Sequence, residues 1–210
     1  MVKVIPAINS PTWDEVVKKI RLVEPFTDWV HIDVADGTFT PNTLWHNPLD
    51  LVGFETKLNL EIHLMEREPE DRFSTWFFPR VMRIIVQQEA TRDFDFIVNA
   101  CHNNKVEAGI SVLTETNWSV LKPFLGKADL VQFLAVNPGF AGQKFDEHNY
   151  YKIKKIRALA PHIPIEVDGG VKVGVAKKCA SAGATHLVAA SAIFDAVDIA
   201  KAIQNLENDI

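Results

Sequence analysis

The feature that most constrains this chain is an alternation. Eight short apolar runs recur along it, and helix-like segments separate most of them. The runs are Val2–Ile8, Trp29–Val34, Leu58–Leu64, Val81–Val86, Ala108–Leu113, Leu130–Val136, Ile163–Val167 and His186–Ala189. Strands that alternate with helices pair in parallel through right-handed crossovers. Eight such units in 210 residues fit a closed sheet better than an open doubly wound one. The expectation is therefore one α/β domain over residues 1–210, a (β/α)8 TIM barrel. Among the helices, Thr12 stands as N-cap with Glu15 three residues on, a capping-box spacing. Lys152–Leu159 and Val175–Ala182 carry helical periodicity. Asp36–Pro48 reads as a long loop, with only a short helix before the third strand. Trp76-Phe77-Phe78 is expected in the third helix, as core or as a subunit interface.

Composition serves mainly to exclude. A net charge of −5 with no basic block argues against nucleic acid as a partner. The apolar run at the N-terminus is too short and interrupted for a signal-peptide core. No window reaches the roughly 18–20 apolar residues of a membrane span. The two cysteines, Cys101 and Cys179, lie far apart without a partner motif, so reduced thiols and a cytoplasmic location are expected.

In a (β/α)8 barrel, chemistry gathers at the C-terminal ends of the strands. The second strand ends in His31-Ile32-Asp33, the third carries Glu61-Ile62-His63, and the seventh carries Glu166-Val167-Asp168. Residues two apart share a strand face. If these faces point inward, two imidazoles and two carboxylates converge on one mouth. Such a donor set suits zinc or another divalent transition metal. A cation beside paired carboxylates suits proton abstraction next to a carbonyl, one carboxylate removing a proton and the other supplying one. A lone histidine at a strand end is more often structural; the set of four weighs against that. Glu61 and Glu166 read as inward groups that support the ligands. His102, His148, His162 and His186 read as surface or structural. Gly139 and Gly142 follow the sixth strand, Gly169 and Gly170 the seventh, and Ser191 the eighth. Small residues there let backbone N–H groups approach phosphate oxygens.

The segments His31–Gly37, Leu60–Met65, Val136–Phe145, Glu166–Val171 and Val188–Phe194 span almost the whole chain and resemble the signature set of the ribulose-phosphate 3-epimerase family. Asn137-Pro138-Gly139-Phe140-Ala141-Gly142-Gln143-Lys144-Phe145 is the most specific of them. The resemblance implies a TIM barrel that binds one divalent ion (zinc, iron, manganese or cobalt) through His31, Asp33, His63 and Asp168. It implies Asp33 and Asp168 as the acid/base pair, one on each face of the substrate. It further implies a phosphate site from Gly139, Phe140, Ala141, Gly142, Gly169, Gly170, Ala190 and Ser191. The activity expected is interconversion of D-ribulose 5-phosphate and D-xylulose 5-phosphate through a 2,3-enediolate, in the pentose phosphate pathway, by a homo-oligomer acting on a small sugar phosphate.

Several positions depart from the family pattern. Ala7 stands for a serine, Ala35 and Leu134 for methionines, Gln87 for a histidine on the fourth strand, and Ala141 and Ala190 for glycines. Pro41-Asn42 continues as Thr43-Leu44-Trp45-His46-Asn47-Pro48 rather than Thr-Phe-Gly. Ala7, Ala35 and the Trp45 loop are expected to alter the pocket wall. They keep open a 3-epimerase of another ketose phosphate, such as allulose 6-phosphate. A non-catalytic sugar-phosphate-binding relative is the alternative from a different class; the intact Asp33 and Asp168 oppose it.

Overall fold

A computed structural model of the chain describes residues 2–138 and 142–210. Eight parallel strands close into a barrel in sequence order, β8 pairing back onto β1 through Ile5 with Val188 and Pro6 with Ala189. The strands are β1 (Lys3–Ile8), β2 (Trp29–Val34), β3 (Asn59–Leu64), β4 (Val81–Gln87), β5 (Glu107–Val112), β6 (Leu130–Leu134), β7 (Ile165–Asp168) and β8 (His186–Ala189). Each sits within about two residues of its sequence-based bounds. The helices are α1 (Trp13–Val23), α2 (Phe94–Asn103), α3 (His148–Leu159), α4 (Val175–Ala182), α5 (Ser191–Phe194) and α6 (Ile199–Asn208). Thr12 caps α1 as expected, its hydroxyl accepting from Glu15 N at 3.4 Å. Among the described residues, no helix is long and apolar enough to cross a membrane.

The outer cover lacks an α-helix after β5, where a 3₁₀ helix over Trp118–Phe124 makes the crossover, and departs from the sequence reading after β3. No α-helix follows β3; 3₁₀ turns at Pro69–Asp71 and Phe73–Trp76 make that crossover, and another at Pro48–Leu51 precedes β3. Trp76-Phe77-Phe78 is therefore not in a third helix: Trp76 ends a turn and is 1% exposed. Stacked aromatics cover the sheet where helices would lie. Trp45 packs against Trp13 at 4.7 Å and edge-on to Trp76 at 5.2 Å between ring centroids, and its indole N–H donates to Asp50 at 2.8 Å.

The strands divide their side chains by the pleat. Outward residues such as Val30, Ile32, Ile62, Ile84, Ile110, Phe133 and Val167 form the hydrophobic core between the sheet and its outer layer. Most polar residues of the strands alternate with these and fill the barrel. His31, Glu61, His63, Gln87, Ser111, Gln132 and Glu166 are all fully buried. Most polar atoms of this lumen pair with one another, while Gln87 Oε1, Gln132 Oε1 and Glu166 Oε2 have no hydrogen-bond partner among the described residues.

Candidate active site at the barrel mouth

His31 and Asp33 leave β2 on one face, and register places Asp33 beside His63 of β3. Closure of the ring brings Asp168 of β7 to the same place. One donor atom from each of these four buried residues lies within 4.8 Å of every other. Asp33 Oδ1 stands 3.2 Å from His31 Nε2 and 3.0 Å from His63 Nδ1. Asp168 Oδ2 stands 3.9 Å from both of those nitrogens. Donors that share a tetrahedral ion at roughly 2.0–2.2 Å stand about 3.3–3.6 Å apart. The separations bracket that range, so the donor set fits a divalent ion in both chemistry and spacing.

The supporting residues strengthen the fit. His31 Nδ1 lies 2.6 Å from Glu61 Oε1, so its N–H donates there and Nε2 is turned toward the two aspartates. A carboxylate behind a ligating histidine fixes its tautomer and orientation in this way. Glu61 is held in turn by Arg83, which also bonds Glu107 and lies 4.8 Å above the Trp29 ring. Glu166 accepts from Gln132 at 3.0 Å and stands 3.8 Å from His31 Nδ1. The inward placement expected of Glu61 and Glu166 thus agrees with the geometry. Arg83, Ser111 and Gln132 escaped the sequence reading, which had Gln87 only as a departure from the family pattern. The signal was there for β4, where Arg83 and Gln87 lie four apart and share a face.

With only protein groups around them, the two aspartates differ. Burial pushes Asp33 up, but the hydrogen bonds and charge of His31 and His63 outweigh it and hold its carboxyl well below the usual range. Burial, and then the Asp33 charge, lift Asp168 to about 7. Burial lifts Glu166 well above the usual range, helped by the Glu61 charge. Burial opposes ionisation of Glu61 as well, yet His31 and Arg83 bring it down to about 2.

Both aspartates face a pocket at this mouth. Gly142, Gly169, Gly170, Ala190 and Ser191 line the same pocket, while Gly139, Phe140 and Ala141 lie outside the described residues. Gly169 and Gly170 have φ of +98° and +68°. A Cβ at Gly169 would sit 2.4 Å from Val136 Cγ2, and one at Gly170 would sit 2.5 Å from the Phe145 nitrogen. The turn after β7 therefore requires both glycines, and it presents bare backbone to the pocket.

Of the departures, Ala7, Leu134 and Ala190 line the pocket. Ala35 does not: it is fully buried behind Met65, packed with Leu44 and Phe39. Trp45 does not either, being held in the aromatic stack on the outer flank. Both expected changes to the pocket wall are thereby corrected. Ala35 packs with Leu44, Met65 and Phe39 instead, and Trp45 with Trp13 and Trp76. His102, His148 and His162 are exposed, and His186 is buried at the start of β8, remote from the mouth.

Residues 3–194 match the model of the ribulose-phosphate 3 epimerase family. The chain is 36% identical over 214 residues to the ribulose-phosphate 3-epimerase of Bacillus subtilis, covering 98% of each. It is 35% identical over 212 residues to the chloroplastic ribulose-5-phosphate-3-epimerase of Arabidopsis thaliana, covering 97% of this chain and 75% of that one. Among solved structures, KGPDC from Streptococcus mutans superposes with a TM-score of 0.74 at 12% identity, covering 100% of this chain and 97% of that one. A 3-hexulose-6-phosphate synthase gives 0.73 at 18%, covering all of both chains. At these identities the solved structures speak for the fold alone.

Proposed function

This chain belongs to the ribulose-phosphate 3-epimerase family of isomerases, and from that premise we propose that it interconverts D-ribulose 5-phosphate and D-xylulose 5-phosphate by inverting C3. The observation that carries this reading is the convergence of Asp33, Asp168, His31 and His63 on one open mouth. His31, Asp33, His63 and Asp168 would hold one divalent ion: zinc, iron, manganese or cobalt. Bound there, it supplies positive charge against the oxyanion that develops as C3 loses its proton.

The protein's own groups do the rest. Asp33 takes the C3 proton on one face, and Asp168 delivers a proton on the other. Asp33 comes from β2 and Asp168 from β7, so a substrate seated in the pocket meets a carboxyl on each side. Their side chains are 10% and 11% exposed; bulk water is thus largely kept from the proton in transit. Glu61 and Arg83 hold His31 in place from below. Gly142, Gly169, Gly170 and Ser191 offer backbone and hydroxyl donors to a phosphate dianion. A hexulose 6-phosphate is the second reading. It rests on Ala7 and Leu134, departures that line the mouth together with Ala190.

The deciding assay supplies the metal-replete protein with D-ribulose 5-phosphate in heavy water. Deuterium at C3 accompanied by xylulose phosphate is the expected outcome, with kcat/KM above that for hexulose 6-phosphates. Turnover without deuterium at C3 would defeat the mechanism, and a chain that turns over no ketose phosphate would leave only a binding role. Phosphate recognition has its own test. Ala190→Gly removes a methyl from the phosphate side of the pocket and should lower KM about tenfold, the scale of a charged hydrogen bond of about 1.5–3 kcal/mol. Ser191→Ala should raise it. A parent protein that prefers the unphosphorylated ketose would remove the phosphate from the assignment.

A further inference from the structure

His31 has a carboxylate behind it; His63 has an amide. Gln87 of β4 places its side-chain nitrogen 2.7 Å from His63 Nε2 and 3.1 Å from Ser111 Oγ. Its oxygen is buried and, among the described residues, has no hydrogen-bond partner. All three residues are fully buried.

The arrangement is that of one particular tautomer. With the amide nitrogen donating to it, Nε2 must carry a lone pair, and the ring proton sits on Nδ1, donating to Asp33 Oδ1 at 3.0 Å. Nδ1 is also the nitrogen that faces Asp168. For Nδ1 to serve as a ligand its lone pair must point to the mouth, which moves the ring proton to Nε2. That N–H then needs an acceptor 2.7 Å away, where the amide nitrogen stands. A half-turn of the Gln87 amide puts its oxygen there, accepting from His63 Nε2–H and from the Ser111 hydroxyl. A carboxylate can only accept and an ammonium can only donate; an amide offers both ends on one rotor.

We propose that Gln87 is a positioning residue that selects the His63 tautomer. It donates to Nε2 while His63 bonds Asp33, and it turns to accept from Nε2–H when Nδ1 is given to a cation. The inference rests on the metal reading given above. It assigns to a neutral amide, anchored by Ser111, the orienting role that Glu61 plays for His31.

The experiment uses the full chain, with imidazole nitrogen-15 NMR and zinc affinity by chelator competition. In the metal-free parent, His63 should show its proton on Nδ1; after zinc is added, on Nε2. Gln87→Met keeps volume but removes both ends of the amide, and zinc affinity should fall about 10–100-fold. Gln87→Glu, able to accept, should restore affinity to within a few-fold of the parent. Circular dichroism establishes that the variants fold; if Gln87→Met does not, the parent spectra and Gln87→Glu still decide. A metal-free parent with its proton already on Nε2 overturns the inference, as does a folded Gln87→Met that binds zinc like the parent. Either result leaves the metal site standing. A parent that takes up no zinc sinks both.

Discussion

Asp33→Asn and Asp168→Asn should each lower the rate of C3 epimerisation by about 10²–10⁴-fold, the usual contribution of a positioned acid or base. The exchange is nearly isosteric, and an amide can still bond the neighbouring imidazoles. The barrel should therefore fold while one face of the substrate loses its proton carrier. What remains should differ between the variants. With Asp33 intact and Asp168 lost, a proton can leave and return on one face only. The epimer whose C3 hydrogen meets Asp33 should then exchange deuterium without inverting, and Asp33→Asn should show the same for the other epimer. The double variant should be little worse than either single one, because groups that act as a unit are non-additive. Near-normal epimerisation by either variant, with metal bound, would end the two-carboxylate mechanism.

His63→Ala should remove metal and activity together. Protein purified without chelators is expected to carry about one divalent ion per chain, measured by elemental analysis. The variant loses one of four donors that stand within 4.8 Å of one another. The loss in affinity should exceed the roughly 10–100-fold that follows removal of an outer hydrogen-bond partner. Stability supplies a second reading independent of turnover. An ion that binds only the folded chain stabilises it by about 2.7 kcal/mol at one hundred times its Kd. Added metal should thus raise the Tm of the parent and leave that of His63→Ala nearly unmoved. No uptake by the parent from zinc, manganese, iron or cobalt would count decisively against the site.

The eight strands were legible because each carries an apolar run bounded by turn residues, and a strand's pleat is a local property. The same period of two puts His31 with Asp33, Glu61 with His63 and Glu166 with Asp168 on shared strand faces. The helix cover was less legible. The 3₁₀ turns after β3 and the Trp13–Trp45–Trp76 stack depend on which apolar residues reach the same flank, and sequence spacing does not record that. For the same reason Ala35 and Trp45 were assigned to a pocket wall they do not touch. Gln87 reads as a bare substitution in sequence; only packing sets its amide between His63 and Ser111. The sequence by itself determined which residues share a face of each strand, because alternation is written into the backbone of a single strand. Tertiary structure alone decided that β2, β3 and β7 meet at one point. That depends on the hydrogen bonds of β8 to β1 closing the ring, an event between residues more than 180 positions apart.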